Sequence, residues 1–131
     1  MRNIQDALLT ESIAVAAAGA SSSTASFNLG GADDAVTEVV DLQIDLPVLP
    51  ALVDTETVTL TVEDSADNSS FAALAPLATL IATGTLTPGS AAALTRKVKL
   101  LGARQYVRVT GAVSATAGDN TGVSFTAKIL T

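Results

Sequence analysis

The sequence of 131 residues contains no histidine, no cysteine and no tryptophan. Without cysteine it can form no disulfide bond and offers no thiol nucleophile. Without histidine it lacks the side chain most used as a general acid or base near neutral pH, and a frequent zinc ligand. Any catalysis would depend on carboxylates, lysines and hydroxyl groups alone. These absences disfavour an enzyme, and we expect that no cofactor or metal ion is needed, because the acidic segment of residues 63–68 lacks a recognised ligand pattern.

Aromatic side chains are also scarce, being limited to Phe27, Phe71, Tyr106 and Phe125. The core must be filled by Val, Leu, Ile and Ala, and the chain length fits one domain. A core of such small side chains is modest, so contacts between subunits would supply stability that it lacks.

Alternation of apolar and polar residues is the clearest pattern in the chain. In residues 57–64, Val58, Leu60 and Val62 alternate with threonines and acids, which predicts a half-buried β-strand. The same period returns in residues 38–46, 95–101, 105–113 and 122–130. About eight short strands separated by Gly or Pro predict an all-β, jelly-roll-like two-sheet sandwich over residues 26–131. The side chains predicted to share one core are Val58, Leu60, Val62, Val107, Val109 and Phe125.

Two segments depart from this pattern. Residues 5–18 could form a short helix, but residues 14–26 show neither strand alternation nor a helical stripe. We therefore predict that residues 1–25 form an extended N-terminal arm outside the sandwich, in preference to a disordered tail. Its apolar residues Leu8, Leu9, Ile13 and Val15 would be covered by a neighbouring subunit, and a chain lacking residues 2–20 would fold without assembling. In residues 71–81, helical spacing interrupted by Pro76 predicts a helical turn over 72–75 and then a strand over 77–83.

Charge is divided unequally between the two halves of the chain. Residues 1–67 hold twelve of the thirteen acids and one base, whereas residues 68–131 hold six bases and one acid. Either strands of the two halves pair their charges across the sheets, or the molecule has an acidic and a basic surface. In the second case Arg96, Lys97, Lys99 and Arg108 would orient docking on a protein partner. The net charge of −6 and the lack of interleaved aromatics disfavour nucleic acid.

One acidic segment could carry chemistry. Glu63, Asp64, Asp67 and Asn68 offer oxygen ligands that suit Ca²⁺, although their spacing is not that of an EF-hand. The alternative, which we favour, is a solvated turn with an Asx hydrogen bond. A hydrolase built on Glu63 and Asp67 is a further alternative that the sequence supports only weakly.

The start of the chain does not match a membrane or export segment. The apolar run in residues 13–20 is too short to span a bilayer, and Asp6 and Glu11 interrupt a signal-peptide pattern. We expect the chain to be made in the cytoplasm.

Several motifs, in order along the chain, together resemble a known family. They are Asp6-Ala7-Leu8-Leu9, then Ser22-Ser23-Thr24 leading to Phe27-Asn28-Leu29-Gly30, then residues 57–65, and finally Tyr106-Val107-Arg108-Val109. This series is similar to the small jelly-roll cement or decoration proteins of tailed bacteriophage heads, in particular the Bordetella-phage type.

The resemblance implies a non-catalytic structural protein of the virion. Such a protein binds the outer surface of the capsid between capsomers, as a dimer or trimer, and stabilises the head. Its partner would be the major capsid protein, with no role for nucleic acid or membrane. The alternative is another virion β-module, such as a tail-tube protein or a binder of host-surface carbohydrate. Sugar binding usually requires exposed aromatics, and Tyr106 is the main candidate in this sequence.

Overall fold

The computed structural model describes residues 10–29, 41–74, 79–84, 91–100 and 103–130. Within these ranges the chain forms β-strands and no helix. The strands are β1 (Thr10–Ala14), β2 (Ser21–Ser23), β3 (Phe27–Asn28), β4 (Asp41–Leu46), β5 (Thr57–Ser65), β6 (Ala72–Ala73), β7 (Thr79–Thr83), β8 (Leu94–Lys99), β9 (Tyr106–Val113) and β10 (Ser124–Leu130). Accordingly, the described part of the chain contains no long apolar helix of the kind that crosses a membrane.

The strands form two antiparallel sheets. Sheet A has the order β1-β10-β4-β8, and sheet B has the order β2-β9-β5-β6. In sheet B, β9 also pairs with β3, and β5 also pairs with β7. Sheet A thus has four strands and sheet B six, and most connections cross from one sheet to the other, as in a jelly roll. The predicted all-β sandwich is therefore confirmed.

The inner faces of both sheets build one core. Leu42, Ile44 and Phe125 of sheet A and Leu60 and Val109 of sheet B are fully buried in a single apolar cluster. The six side chains that the alternation assigns to the core are all among its buried members. Pro47 follows β4 directly, as expected of a residue that cannot donate to a ladder.

Gly111 lets the two sheets approach at the centre of the core. It lies on the inward face of β9, where an added Cβ would stand 2.9 Å from Leu60 Cδ2 and 2.9 Å from Phe125 Cε1. The missing side chain thus makes room for a phenyl ring of the opposite sheet. This pairing of a large with an absent side chain is one way a core with few aromatics reaches close packing.

The predicted arm is wrong for residues 10–25, because these residues complete both sheets. β1 pairs with β10 and β2 pairs with β9. Val15 is only 2% exposed and belongs to the core, so its side chain is covered by its own chain rather than by a neighbouring subunit. Ile13 is half-buried and packs against the same core. Leu8 and Leu9 lie outside the described residues.

The sequence pattern misses these strands for a physical reason. β1 is an edge strand, so only Glu11 and Ile13 face inward and the alternation is weak. β2 consists of three serines and carries no apolar signal. β2 pairs with β9 through main-chain hydrogen bonds. Directly after β2, the hydroxyl of Thr24 accepts a hydrogen bond from the main-chain N–H of Val109 at 3.1 Å.

The helical turn predicted over residues 72–75 is also wrong for its described part. Ala72 and Ala73 form β6 and pair with Asp64 and Glu63 of β5. The open edge of β5 supplies main-chain partners there, and these outweigh the weak helical preference of an alanine pair. The strand predicted over residues 77–83 is described as β7 from Thr79 to Thr83, and Leu77 lies outside the described residues.

Candidate functional site

An ion pair lies at the end of β5, where this strand meets the segment before β9. The Asp64 side chain is 8% exposed, and that of Arg104 is 43% exposed. Arg104 Nη2 donates to Asp64 Oδ1 at 2.9 Å, and the main-chain N–H of Arg104 donates to Asp64 Oδ2 at 2.9 Å. The same guanidinium group also donates to the carbonyl of Asp64 at 3.3 Å. Both carboxylate oxygens of this buried acid are therefore satisfied within the chain.

The protonation of this pair follows from its contacts. Burial raises the pKa of Asp64, but the hydrogen bonds and the positive charge of Arg104 outweigh burial and hold it below its usual value. The pKa of Arg104 is raised in turn by the hydrogen bond and charge of Asp64. The pair is thus charged at neutral pH, and Asp64 is a poor candidate for a general acid or base there.

A second ion pair connects β5 and β9 on the outward face of sheet B. Arg108 Nε donates to Glu63 Oε1 at 3.0 Å, and the hydroxyl of Thr110 donates to the same oxygen. The guanidinium carbon of Arg108 lies 4.0 Å from the centroid of the Phe71 ring, a cation–π distance. Arg108, predicted as a docking residue, is instead engaged by an acid and a ring of its own chain.

The acidic loop after β5 is a tight hydrogen-bonded turn. Asp67 Oδ1 accepts the main-chain N–H groups of Ser69 at 2.9 Å and Ser70 at 3.0 Å, and the hydroxyl of Ser65 at 2.8 Å. The bonds from Ser70, Ser65 and Ser69 lower the pKa of Asp67 to about 2. Asn68 has a φ of 60°, and its Oδ1 accepts the hydroxyl of Ser26 at 2.6 Å.

These contacts favour a structural turn over a calcium site. Each of the carboxylates of Glu63, Asp64 and Asp67 accepts hydrogen bonds from the chain itself. In the part of the chain that the structure describes, no group of three or more acidic residues is placed to hold a metal ion. Glu63 points outward from the sheet beside Arg108, whereas Asp67 closes the turn on Ser69 and Ser70, so the two carboxylates serve different local networks.

The basic residues predicted as one docking group are divided among three places. Lys97 and Lys99 are exposed on the outward face of β8 in sheet A, as the alternation predicts. Arg96 is the Cα partner of Ile44, a core residue, and therefore lies on the opposite face of β8. Arg108 belongs to sheet B. The four residues therefore do not form one continuous surface.

The structure adds a basic residue that sequence reasoning missed. Lys128 is exposed on the outward face of β10, and its Cα partner on β4 is Gln43, whose partner on β8 is Lys97. Lys128 therefore lies in the same cross-strand row as Lys97. Only knowledge that β4 separates β10 from β8 could have shown this, because nothing in the local sequence of Lys128 specifies its neighbours.

The outward face of sheet B is rich in hydroxyl groups. Thr57, Thr59 and Thr61 of β5 are half-buried on this face, and the hydroxyl groups of Ser23 and Thr110 are 2.8 Å apart. Ile81 of β7 is 54% exposed. It is the Cα partner of Thr59 and therefore lies on the same face. Tyr106, the aromatic proposed for sugar stacking, is half-buried at the end of β9.

Comparison with known proteins gives no family. No family model and no curated protein matches the sequence. Among solved structures, the chain is similar to one described as "Family 16 Carbohydrate Binding Module-2", with 10% sequence identity, over 92% of this chain and 74% of that chain. The TM-score is 0.34, which is too low for the likeness to carry an argument about function. The resemblance to phage decoration proteins thus stays a prediction.

Proposed function

We propose that this protein is a cement or decoration protein of a tailed-phage capsid. The observation that supports the proposal best is that some charged side chains form ion pairs within the chain, whereas others are exposed on one sheet face. The carboxylates and guanidinium groups at the end of β5 bind one another, whereas Lys97, Lys99 and Lys128 stand exposed on a sheet face. Such an arrangement suits contact with another protein better than chemistry on a bound substrate.

The fold suits this role for two reasons. A sandwich of two sheets is rigid, and its outward faces offer surfaces on which neighbouring capsomers can be held. A shell also offers many equivalent sites, so contacts that are weak individually can hold it together collectively. In this proposal the partner is the major capsid protein, the protein itself assembles as a dimer or trimer, and it resides on the outer surface of the virion.

The proposal is tested by mixing the purified protein with empty heads of the phage that encodes it. We expect the protein to sediment with the heads at a fixed stoichiometry, and cryo-electron microscopy to show it between capsomers on the outer surface. Decorated heads should also resist heating better than bare ones. A folding-defective variant, Leu60→Asp, serves as the control, because it places a charge in the core.

Two results would decide against the proposal. If the folded protein neither sediments with heads nor changes their heat resistance, the assignment fails. Binding to a glycan array together with failure to bind heads would favour the carbohydrate-binding alternative. Density in the tail of the virion rather than on the head would favour a tail-tube protein.

A further inference from the structure

We propose that the outward face of sheet A binds an acidic protein surface through Lys97, Lys99 and Lys128, which we call the lysine face. This inference rests on the proposed function and narrows it, because it names the surface that meets the capsid and the chemistry of its partner.

The three lysines form a compact group. Lys128, Gln43 and Lys97 are successive cross-strand partners, so the two lysines are two strand spacings apart, about 10 Å. Lys99 follows Lys97 on the same face of β8, about 7 Å further along the strand. The Debye length is about 8 Å at physiological ionic strength and exceeds about 10 Å below about 0.1 M salt, so the three charges act together on an approaching partner at low salt and are more strongly screened from one another at physiological salt.

The lysines are exposed, and none of them forms an ion pair within the described residues. The acids of the same face are oriented differently. Asp45 accepts the hydroxyl of Thr95 at 2.8 Å and the side-chain amide of Gln43 at 3.0 Å, so neutral groups of the sheet satisfy it. Asp41 is half-buried, and its Oδ1 is inaccessible to solvent. The groups that extend furthest into solvent here are therefore cationic.

Protection of the sheet edge explains only part of this arrangement. Lysines on edge strands discourage edge-to-edge aggregation, and β8 is an edge strand that carries Lys97 and Lys99. Lys128, however, lies on β10, which is covered on both sides by β1 and β4. An interior strand needs no such protection, so Lys128 indicates that the face itself has a use.

The acids also indicate which class of partner fits. Duplex DNA is a rigid polyanion with phosphates at a fixed, dense spacing, so it cannot keep them away from Asp41 and Asp45, which lie on the same face. A folded protein can place carboxylates opposite the lysines and hydrogen-bond donors opposite the aspartates. Such complementary charges act mainly on the rate of association and on its salt dependence.

The experiment compares two variants of equal net charge. In the first, Lys97→Gln, Lys99→Gln and Lys128→Gln remove three positive charges from the lysine face. In the second, Ser21→Glu, Thr83→Glu and Ala115→Glu add three negative charges at exposed positions of β2, of β7 and of the turn after β9, none of which is a cross-strand partner of another. Both should fold, as judged by circular dichroism and melting temperature, because all six side chains are exposed.

Association with empty heads is then measured at 50 and 300 mM salt. We expect the lysine variant to associate at least about tenfold more slowly than wild type at low salt, and the control variant within about twofold. Equal slowing of both variants would assign the effect to net charge and overturn the inference. An unchanged association rate for the lysine variant would also overturn the inference. In either case, binding of wild type to the heads would still support the proposed function.

A second measurement separates the inference from the proposed function. Wild type is applied to immobilised poly-L-glutamate, a flexible chain that can place its carboxylates opposite the lysines and away from the aspartates, and, in parallel, to immobilised duplex DNA. We expect retention on polyglutamate at low salt that the lysine variant loses and the control variant keeps, even if heads are not bound. Absence of retention on polyglutamate, or stronger retention on DNA, overturns the lysine face as an acceptor of acidic protein surfaces.

Discussion

Asp64 was a candidate metal ligand in the sequence, but in the fold it has a structural role. Its place beside Glu63, Asp67 and Asn68 at one strand end suggested a group of Ca²⁺ ligands as one interpretation, yet its carboxylate is buried and bound by Arg104. We expect Asp64→Asn to lower the free energy of unfolding by about 1 to 3 kcal/mol, the usual contribution of hydrogen bonds to a charged group. Urea denaturation at pH 7 measures this loss.

The control for this prediction is a double-mutant cycle with Arg104→Gln. If the two residues stabilise the fold through each other, the double variant should lose less stability than the two single losses together. Strictly additive losses would contradict the pairing that the structure shows.

Asp67 gives the stability of the protein a defined dependence on pH. Its pKa in the folded chain is about 2, whereas the usual value is 3.8, so the folded state favours the charged form. Its stabilising effect is therefore fully present above pH 3.8 and is lost as the pH falls towards 2. We expect Asp67→Asn, which keeps an acceptor oxygen but does not ionise, to flatten the fall in melting temperature between pH 4 and pH 2. If the melting temperature of Asp67→Asn fell as steeply as that of wild type between pH 4 and pH 2, the turn would not stabilise a charged Asp67.

Gly111 tests the packing of the core from the other direction. We expect Gly111→Val to lower the free energy of unfolding by about 1 to 3 kcal/mol, because the side chain would overlap Leu60 and Phe125. Gly122→Val is a matched control, since an added Cβ there meets no atom within 4 Å. Thermal unfolding of the two variants in parallel measures the difference, and similar losses would indicate that the sheets can move apart at little cost.

At the scale of elements, predictability from sequence depended on how deeply a strand is buried on one face. β5 and β9 lie inside sheet B, so their inward residues are apolar apart from Asp64 near the end of β5, and the alternation is unmistakable. β1 and β2 lie at sheet edges, where few side chains must be apolar. The candidate site follows the same rule: the loop of Asp67 was predictable as a turn, but the row joining Lys97 to Lys128 depends on strand order.

The two N-terminal strands change what a truncation should do. Deleting residues 2–20 removes β1 and Val15, exposes the edge of β10 and opens the core. We now expect that deletion to abolish cooperative unfolding. Deleting residues 2–9 spares every contact described for β1 and should leave a folded sandwich.

The shorter deletion tests what remains of the predicted arm. If Leu8 and Leu9 are covered by a neighbouring subunit, the chain lacking residues 2–9 should be smaller than wild type in analytical ultracentrifugation. An unchanged oligomeric state would remove these two residues from the interface. Cooperative melting of the chain lacking residues 2–20 would instead mean that β1 contributes little to the fold.

At the scale of the whole molecule, the jelly-roll order explains the unequal distribution of charge along the chain. Strands of the acidic first half are neighbours of strands of the basic second half, as β5 is of β9. The ion pairs Glu63–Arg108 and Asp64–Arg104 each join the two halves, so cross-strand pairing is confirmed for these residues. The other interpretation was that the molecule has an acidic and a basic surface. The lysine face is the basic surface that we propose.

The same order makes folding depend on distant contacts. Within sheet B, Thr61 pairs with Thr79, whereas Thr10 of sheet A pairs with Lys128 near the other end of the chain. Closing the longer loop costs more entropy, so we expect β1 to join the sheet after the rate-limiting step. Val15→Ala should then speed unfolding and leave the folding rate nearly unchanged, whereas Leu60→Ala should also slow folding. Stopped-flow chevron plots measure both rates, and slower folding of Val15→Ala would place the pairing of the chain ends before the barrier.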